Sequence, residues 1–93
     1  MIIMDFEKIT KEAVVQALLE IKKNGIPKNA DSSTYDILYK GKRYPPKLVM
    51  EYAYQHSTGK QITRNDFEGG EKTPCFNRLK ELGFTIVHKE KNP

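Results

Sequence analysis

Cysteine is nearly missing from this chain. Cys75 stands alone, which excludes an internal disulfide and any zinc site built from several cysteines. Long apolar runs are missing too. Met1-Ile2-Ile3-Met4 meets Asp5 and Glu7 at once, too short a stretch for a signal peptide or a membrane span. No serine elbow, Walker loop or HExxH helix occurs, no histidine stands near Cys75 in sequence, and the acids do not gather as a metal or general-acid pair. At 93 residues the chain lies near the small end of what folds alone, and buries roughly 60–65% of its unfolded surface. A deep, water-excluding pocket for a large cofactor is hard to build on that scale. These absences predict a non-enzymatic domain without cofactor or metal, in a reduced, cytoplasmic setting.

What is present is charge, unevenly spread. The net charge is +4. Residues 1–36 carry five Lys against six acids, and residues 37–93 carry eleven Lys and Arg against six acids. Such an asymmetry favours a polyanionic partner over a membrane, because no strongly basic amphipathic helix accompanies it.

The basic portion opens on Tyr35-Asp36-Ile37-Leu38-Tyr39-Lys40-Gly41-Lys42-Arg43-Tyr44-Pro45-Pro46-Lys47. The period of two puts Tyr35, Ile37 and Tyr39 on one strand face. Lys40-Gly41 makes a tight hairpin turn, for which Gly41 supplies a positive φ. Pro45 stops the second strand because it has no N–H to donate, and Pro46 suits a first helical turn. Lys40, Lys42, Arg43 and Lys47 lie at or beside the turn with no acid among them. Cations interleaved with Tyr35, Tyr39 and Tyr44 suit a phosphate backbone and a stacked base. A solvated charged turn and a set of core tyrosines explain the same residues, with at least two of the three rings expected mainly buried.

Along the rest of the chain, residues 1–9 read as extended, with Phe6 against the core. Thr10 caps a helix over 11–24, with Ile9 and Val14 stapled across the cap. Val14, Val15, Leu18, Leu19 and Ile21 form its apolar stripe, and Gly25 ends it in the left-handed region. Asp31, Ser32, Ser33 and Thr34 lie in a polar loop and suit turns better than phosphate contacts. A second helix spans about 46–55, with Leu48, Val49, Tyr52 and Ala53 inward, Met50 and Tyr54 off that face, and His56 near its end. Residues 62–67 read as one capped turn with Thr63 at its cap. Gly69-Gly70 breaks the chain between Glu68 and Glu71, which look solvated. Thr73-Pro74 opens a third helix with Phe76, Leu79 and Leu82 inward, and residues 84–88 close the chain as a strand. Cys75 reads as a small buried filler.

Further basic residues lie on the later segments: Lys60, Arg64, Lys72 and Arg78. Arg64 suits bidentate reading of guanine, and Asn65 and Asn77 suit base edges. Lys72 and Thr73 stand beside a helix N-terminus able to hold an anion. The expected architecture is α+β: a three-stranded antiparallel sheet, hairpin plus C-terminal strand, packed on three to four helices. One domain is expected over residues 1–88, with 89–93 a tail or the start of a linker.

Three strings carry a family resemblance: Tyr39-Lys40-Gly41-Lys42-Arg43-Tyr44-Pro45-Pro46-Lys47, Phe67-Glu68-Gly69-Gly70-Glu71, and Leu79-Lys80-Glu81-Leu82-Gly83-Phe84-Thr85-Ile86-Val87. Together they resemble the ScoMcrA-like N-terminal head domain, over nearly the whole chain. The Gly-Lys-x-Tyr-Pro-Pro-Lys string is the most specific part. That module stands at the front of modification-dependent, McrA- and McrB-type restriction proteins, ahead of HNH nucleases or AAA+ GTPases. The resemblance implies the target-sensing end of a phage-defence protein, with cleavage or translocation left to an effector domain of the same polypeptide. The implied ligand is double-stranded DNA, with a modified base such as methylcytosine or hydroxymethylcytosine. On this reading Lys40, Lys42, Arg43, Lys47 and Lys72 hold phosphates, and Arg64 and Asn65 approach bases. The alternative, of a different class, is a protein-interaction module that docks on its own nuclease or AAA+ effector.

Overall fold

Thr10 and Gly25 bound the first helix as their chemistry requires. In the computed structural model, which describes residues 6–27, 34–63, 67 and 73–88, α1 runs Lys11–Asn24. The Thr10 hydroxyl accepts a hydrogen bond from the Ala13 N–H at 3.1 Å, satisfying one of the donors a helix leaves open at its start. Gly25 takes φ 83° and ψ 176° while its N–H returns to the Ile21 carbonyl. The φ is positive as expected. The ψ lies outside the left-handed helical region, so the chain leaves α1 extended instead of in a left-handed turn.

Ahead of α1, Phe6–Lys8 forms a single 3-10 turn, not the expected extended segment. The Ile9 N–H bonds back to the Phe6 carbonyl. The turn tips the Phe6 ring inward, edge-on to Tyr54 and Phe67 at 6.3 and 5.5 Å between centroids.

The hairpin follows as β1 (Tyr35–Tyr39) and β2 (Lys42–Tyr44), antiparallel, with Tyr39 opposite Lys42. Lys40 and Gly41 sit at φ 50° and 79°. Two positive φ values in a two-residue loop match the strand twist. Pro45 ends β2, and Pro46 opens α2, which runs Pro46–Thr58. The helix is a turn longer than expected. The Thr58 hydroxyl donates to the Tyr54 carbonyl at 2.8 Å, and Gly59 caps it in the left-handed region. Met50 and Tyr54, expected off the inward face, are buried, while Tyr52 is only half-buried. The reason is position: α2 packs against α1, β1 and α3, so its apolar surface wraps well beyond one stripe.

Helix α3 (Pro74–Glu81) starts at Thr73, whose hydroxyl accepts from the Phe76 N–H, and leads into strand β3 (Thr85–His88). β3 pairs antiparallel with β1, giving the sheet order β2-β1-β3. The expected α+β architecture with a three-stranded antiparallel sheet is therefore present. Ile9, Val14, Leu18, Ile37, Leu48, Val49, Met50 and Leu79 form the centre of one core shared by helices and sheet. Leu19, assigned to the apolar stripe of α1, is exposed.

Polar ties also hold α2 to α1. Ser57 accepts a hydrogen bond from the Thr10 N–H at 3.3 Å, and His56 meets Glu20 at 3.0 Å. His56 thus has a carboxylate partner on another helix in addition to its place near a helix end. Among the described residues no helix is long and apolar enough to cross a membrane. Residues 1–5 of the expected extended segment, the loop residues Asp31, Ser32 and Ser33, residues 64–66 of the capped turn, the Gly69-Gly70 break with its flanking Glu68 and Glu71, and the tail at 89–93 lie outside the described residues.

Candidate nucleic-acid interface

Register decides where each basic side chain of the hairpin points. Directly opposed residues share a sheet face and neighbours along a strand alternate. Ile37 faces Tyr44, and Tyr39 faces Lys42, so these four lie on the face turned to the core. Leu38 faces Arg43, and Asp36 and Leu38 face Val87 and Thr85. These make the outer face. Lys42 and Arg43, adjacent in sequence, therefore leave the sheet on opposite sides.

On the inner face the rings form a floor under the lysines. The Lys42 ammonium stands 5.7 Å from the Tyr44 centroid, and the Lys40 ammonium 5.5 Å from that of Tyr39, within the reach of cation–π attraction. Tyr44 is buried, and burial, helped by the nearby Tyr39, pushes its phenol pKa up. Tyr39 leans on Phe84 at 6.0 Å, and Tyr35 stands edge-on to Phe76 and His88 at 5.3 and 4.9 Å. One tyrosine of the three is thus fully buried and two are half-buried. Tyr44 supports the ammonium above it, and the exposed parts of Tyr35 and Tyr39 are what remains for a ligand.

On the outer face Arg43, half of whose side chain is exposed, lies 3.7 Å from the nearly buried carboxylate of Asp36. That distance is an ion pair and not a hydrogen bond. It tethers one end of the guanidinium and leaves other N–H donors turned outward. Sequence reading missed Asp36 as the partner. The signal was available: a two-residue turn sets Arg43 opposite Leu38, and Asp36 is then its diagonal neighbour on the same face.

Lys47 stands apart from the hairpin tip. It is half-buried at the start of α2, with its ammonium 5.3 Å from the Phe67 ring. Its charge also reaches Cys75, where it opposes the effect of burial. Burial wins, and the Cys75 thiol is pushed up to about 12, so at neutral pH it is a protonated core residue. None of the ion pairs between described residues involves Lys40, Lys42 or Lys47.

Arg78 does not join a basic surface, although sequence places it among the later cations. Its guanidinium donates to the Ile9 carbonyl at 2.8 and 3.1 Å and to the Glu7 carbonyl at 2.9 Å. It clamps the 3-10 turn onto α3. Arg64, Asn65 and Lys72 lie outside the described residues. Among the described residues no cluster of three or more His, Cys, Asp or Glu is placed to hold a metal ion.

The structure thus brings Lys40, Lys42, Tyr39 and Tyr44 together at the hairpin tip, sets Arg43 behind them, and holds Lys47 toward Phe67. Chemically, such a tip can bind anions, with ring-backed ammonium groups on one side and a partly neutralised guanidinium on the other. Comparison with known proteins adds one finding. Residues 7–88 match the family model described as the ScoMcrA-like N-terminal head domain. No curated protein and no solved structure matches the chain.

Proposed function

The chain belongs to the ScoMcrA-like N-terminal head domain family, and from that premise we propose that it is the non-catalytic DNA-binding module of a McrA-type restriction system. In this reading it binds double-stranded DNA, senses a modified base such as methylcytosine or hydroxymethylcytosine, and delivers a cytoplasmic effector of the same polypeptide to its target. Lys40 and Lys42 grip phosphates, Arg43 and Lys47 assist, and Arg64, Asn65 and Lys72 extend the contact. Tyr35 and Tyr39 offer ring surface to a base.

The observation that carries this reading is the hairpin turn itself. Lys40 occupies a left-handed position, φ 50°, where asparagine or glycine is less strained. Its side chain is exposed, with the ammonium over the Tyr39 ring. A lysine held in a costly conformation at the surface is accounted for by what its charge does for a ligand.

Fluorescence anisotropy against matched unmodified, methylated and hydroxymethylated duplexes at two salt concentrations tests the proposal. Binding that weakens steeply with salt is expected, as is a preference for one modified duplex. No binding to any duplex at low salt would overturn it. That result would favour docking on the effector instead, through exposed apolar residues such as Leu19, Ile26 and Leu38.

A further inference from the structure

Resting on that reading and deepening it, we infer that the β1–β2 hairpin tip enters the major groove of duplex DNA edge-first, with Lys40 and Lys42 toward one phosphate wall and Arg43 toward the other. The two sheet faces give the first reason. A flat or singly curved phosphate surface would meet one side of a sheet, and a cation on the far side would be idle. Lys42 and Arg43 emerge on opposite sides of the same strand, because Lys42 opposes Tyr39 and Arg43 opposes Leu38. A two-walled groove uses both.

Length agrees. β3 pairs with β1 only as far as Leu38, opposite Thr85, so Lys40, Gly41 and Lys42 project beyond the third strand, while Tyr39, packed on Phe84, and Arg43, opposite Leu38, stand at the base of that projection. One further rung and the turn give a projection of about 7 Å at the usual strand rise. The major groove is about 8.5 Å deep. Phe84, packed on Tyr39, marks where the free ribbon ends and the body of the domain begins.

Width agrees as well. A two-stranded ribbon with its side chains is roughly 10 Å thick. It fits a major groove about 12 Å wide and is excluded from a minor groove of about 6 Å. β2 is an edge strand of the sheet, so one flank of the ribbon is free of a neighbouring strand. The turn has two positive φ values, which keeps the ribbon's natural twist up to its tip.

The test uses the 93-residue chain and a mixed-sequence duplex, with binding read by anisotropy. Methyl green occupies the major groove and netropsin the minor groove. Pre-saturation with methyl green is expected to weaken binding at least about tenfold, while netropsin changes it less than about twofold. Displacement by netropsin, equal displacement by both, or displacement by neither overturns the groove assignment and leaves duplex binding standing. Absence of any duplex binding overturns both. A second arm locates the contact. The exposed double variant Lys40→Gln/Lys42→Gln, with its fold checked by circular dichroism, is expected to lose most of its affinity and its sensitivity to methyl green. Arg43→Gln, measured separately because it also removes the ion pair to Asp36, is expected to weaken binding as well, and wild-type affinity in it overturns the two-walled placement. Wild-type affinity in the double variant removes the hairpin from the groove.

Discussion

Replacing Arg78 by methionine separates a structural cation from a DNA-binding one. Methionine keeps most of the aliphatic stem and removes the guanidinium, which donates to the carbonyls of Ile9 and Glu7. Hydrogen bonds from a charged donor contribute about 1.5–3 kcal/mol each. The Glu7 carbonyl bond is exposed and the Ile9 bonds are part-buried, so water replaces the first more easily than the second. The net loss is therefore about 2–3 kcal/mol, most of it at Ile9. A domain of this size has a total stability of about 5–14 kcal/mol, so the change is large. With an m-value near 1–1.5 kcal/mol per molar urea, the midpoint falls by about 2 M at unchanged slope. Urea titration followed by far-ultraviolet circular dichroism measures it. Arg78→Lys, with one compact donor in place of a fork, should recover only about half. Glu81→Gln should shift the midpoint little, because the pair at 3.8 Å is solvent-facing. An unchanged midpoint in Arg78→Met, together with weaker duplex binding, would refute the clamp and return Arg78 to the basic surface.

Two other expectations concern Cys75 and Lys40. Burial raises the Cys75 thiol from about 9.0 to about 12, so the unfolded chain loses this proton first as pH rises. The contribution is therefore intact below pH 9 and declines between 9 and 12, by up to about 1.4 kcal/mol per unit. Urea midpoints across that range should fall more steeply for the wild type than for Cys75→Ala, and parallel curves would contradict the burial argument. In the native state at pH 8 the thiol should resist an aromatic disulfide reagent and react only on unfolding. Lys40→Asn places a residue better suited to φ 50° in the turn, and should raise stability by about 0.5–1 kcal/mol while weakening duplex binding. A variant that is both less stable and equally tight would break the link between turn strain and function.

Local chemistry made much of the fold legible. Thr10 and the glycine after Asn24 bounded α1, Lys40-Gly41 set the turn, and Pro45-Pro46 marked the junction of β2 and α2, because caps, turns and prolines act within a few residues. Long-range packing was less legible. Met50 and Tyr54 lie inside because α2 has neighbours on several sides, which one-stripe periodicity does not register. The 3-10 turn at Phe6–Lys8 is too short to show a period. The role of Arg78 depends on carbonyls about seventy residues away in the chain, and carbonyl positions leave no trace in side-chain pattern. For the site, the basic hairpin was visible as composition. The division of Lys42 and Arg43 between two faces follows from register, and the burial that makes Asp36 a tether emerges only in three dimensions.

If the ammonium groups at the hairpin tip neutralise DNA phosphates, the salt dependence of duplex binding must register them. Each neutralised phosphate contributes about 0.9 to the slope of log K against log salt. Lys40→Gln/Lys42→Gln should therefore bind with a slope shallower than wild type by about two. Equal slopes in the two proteins would show that these lysines touch no phosphate.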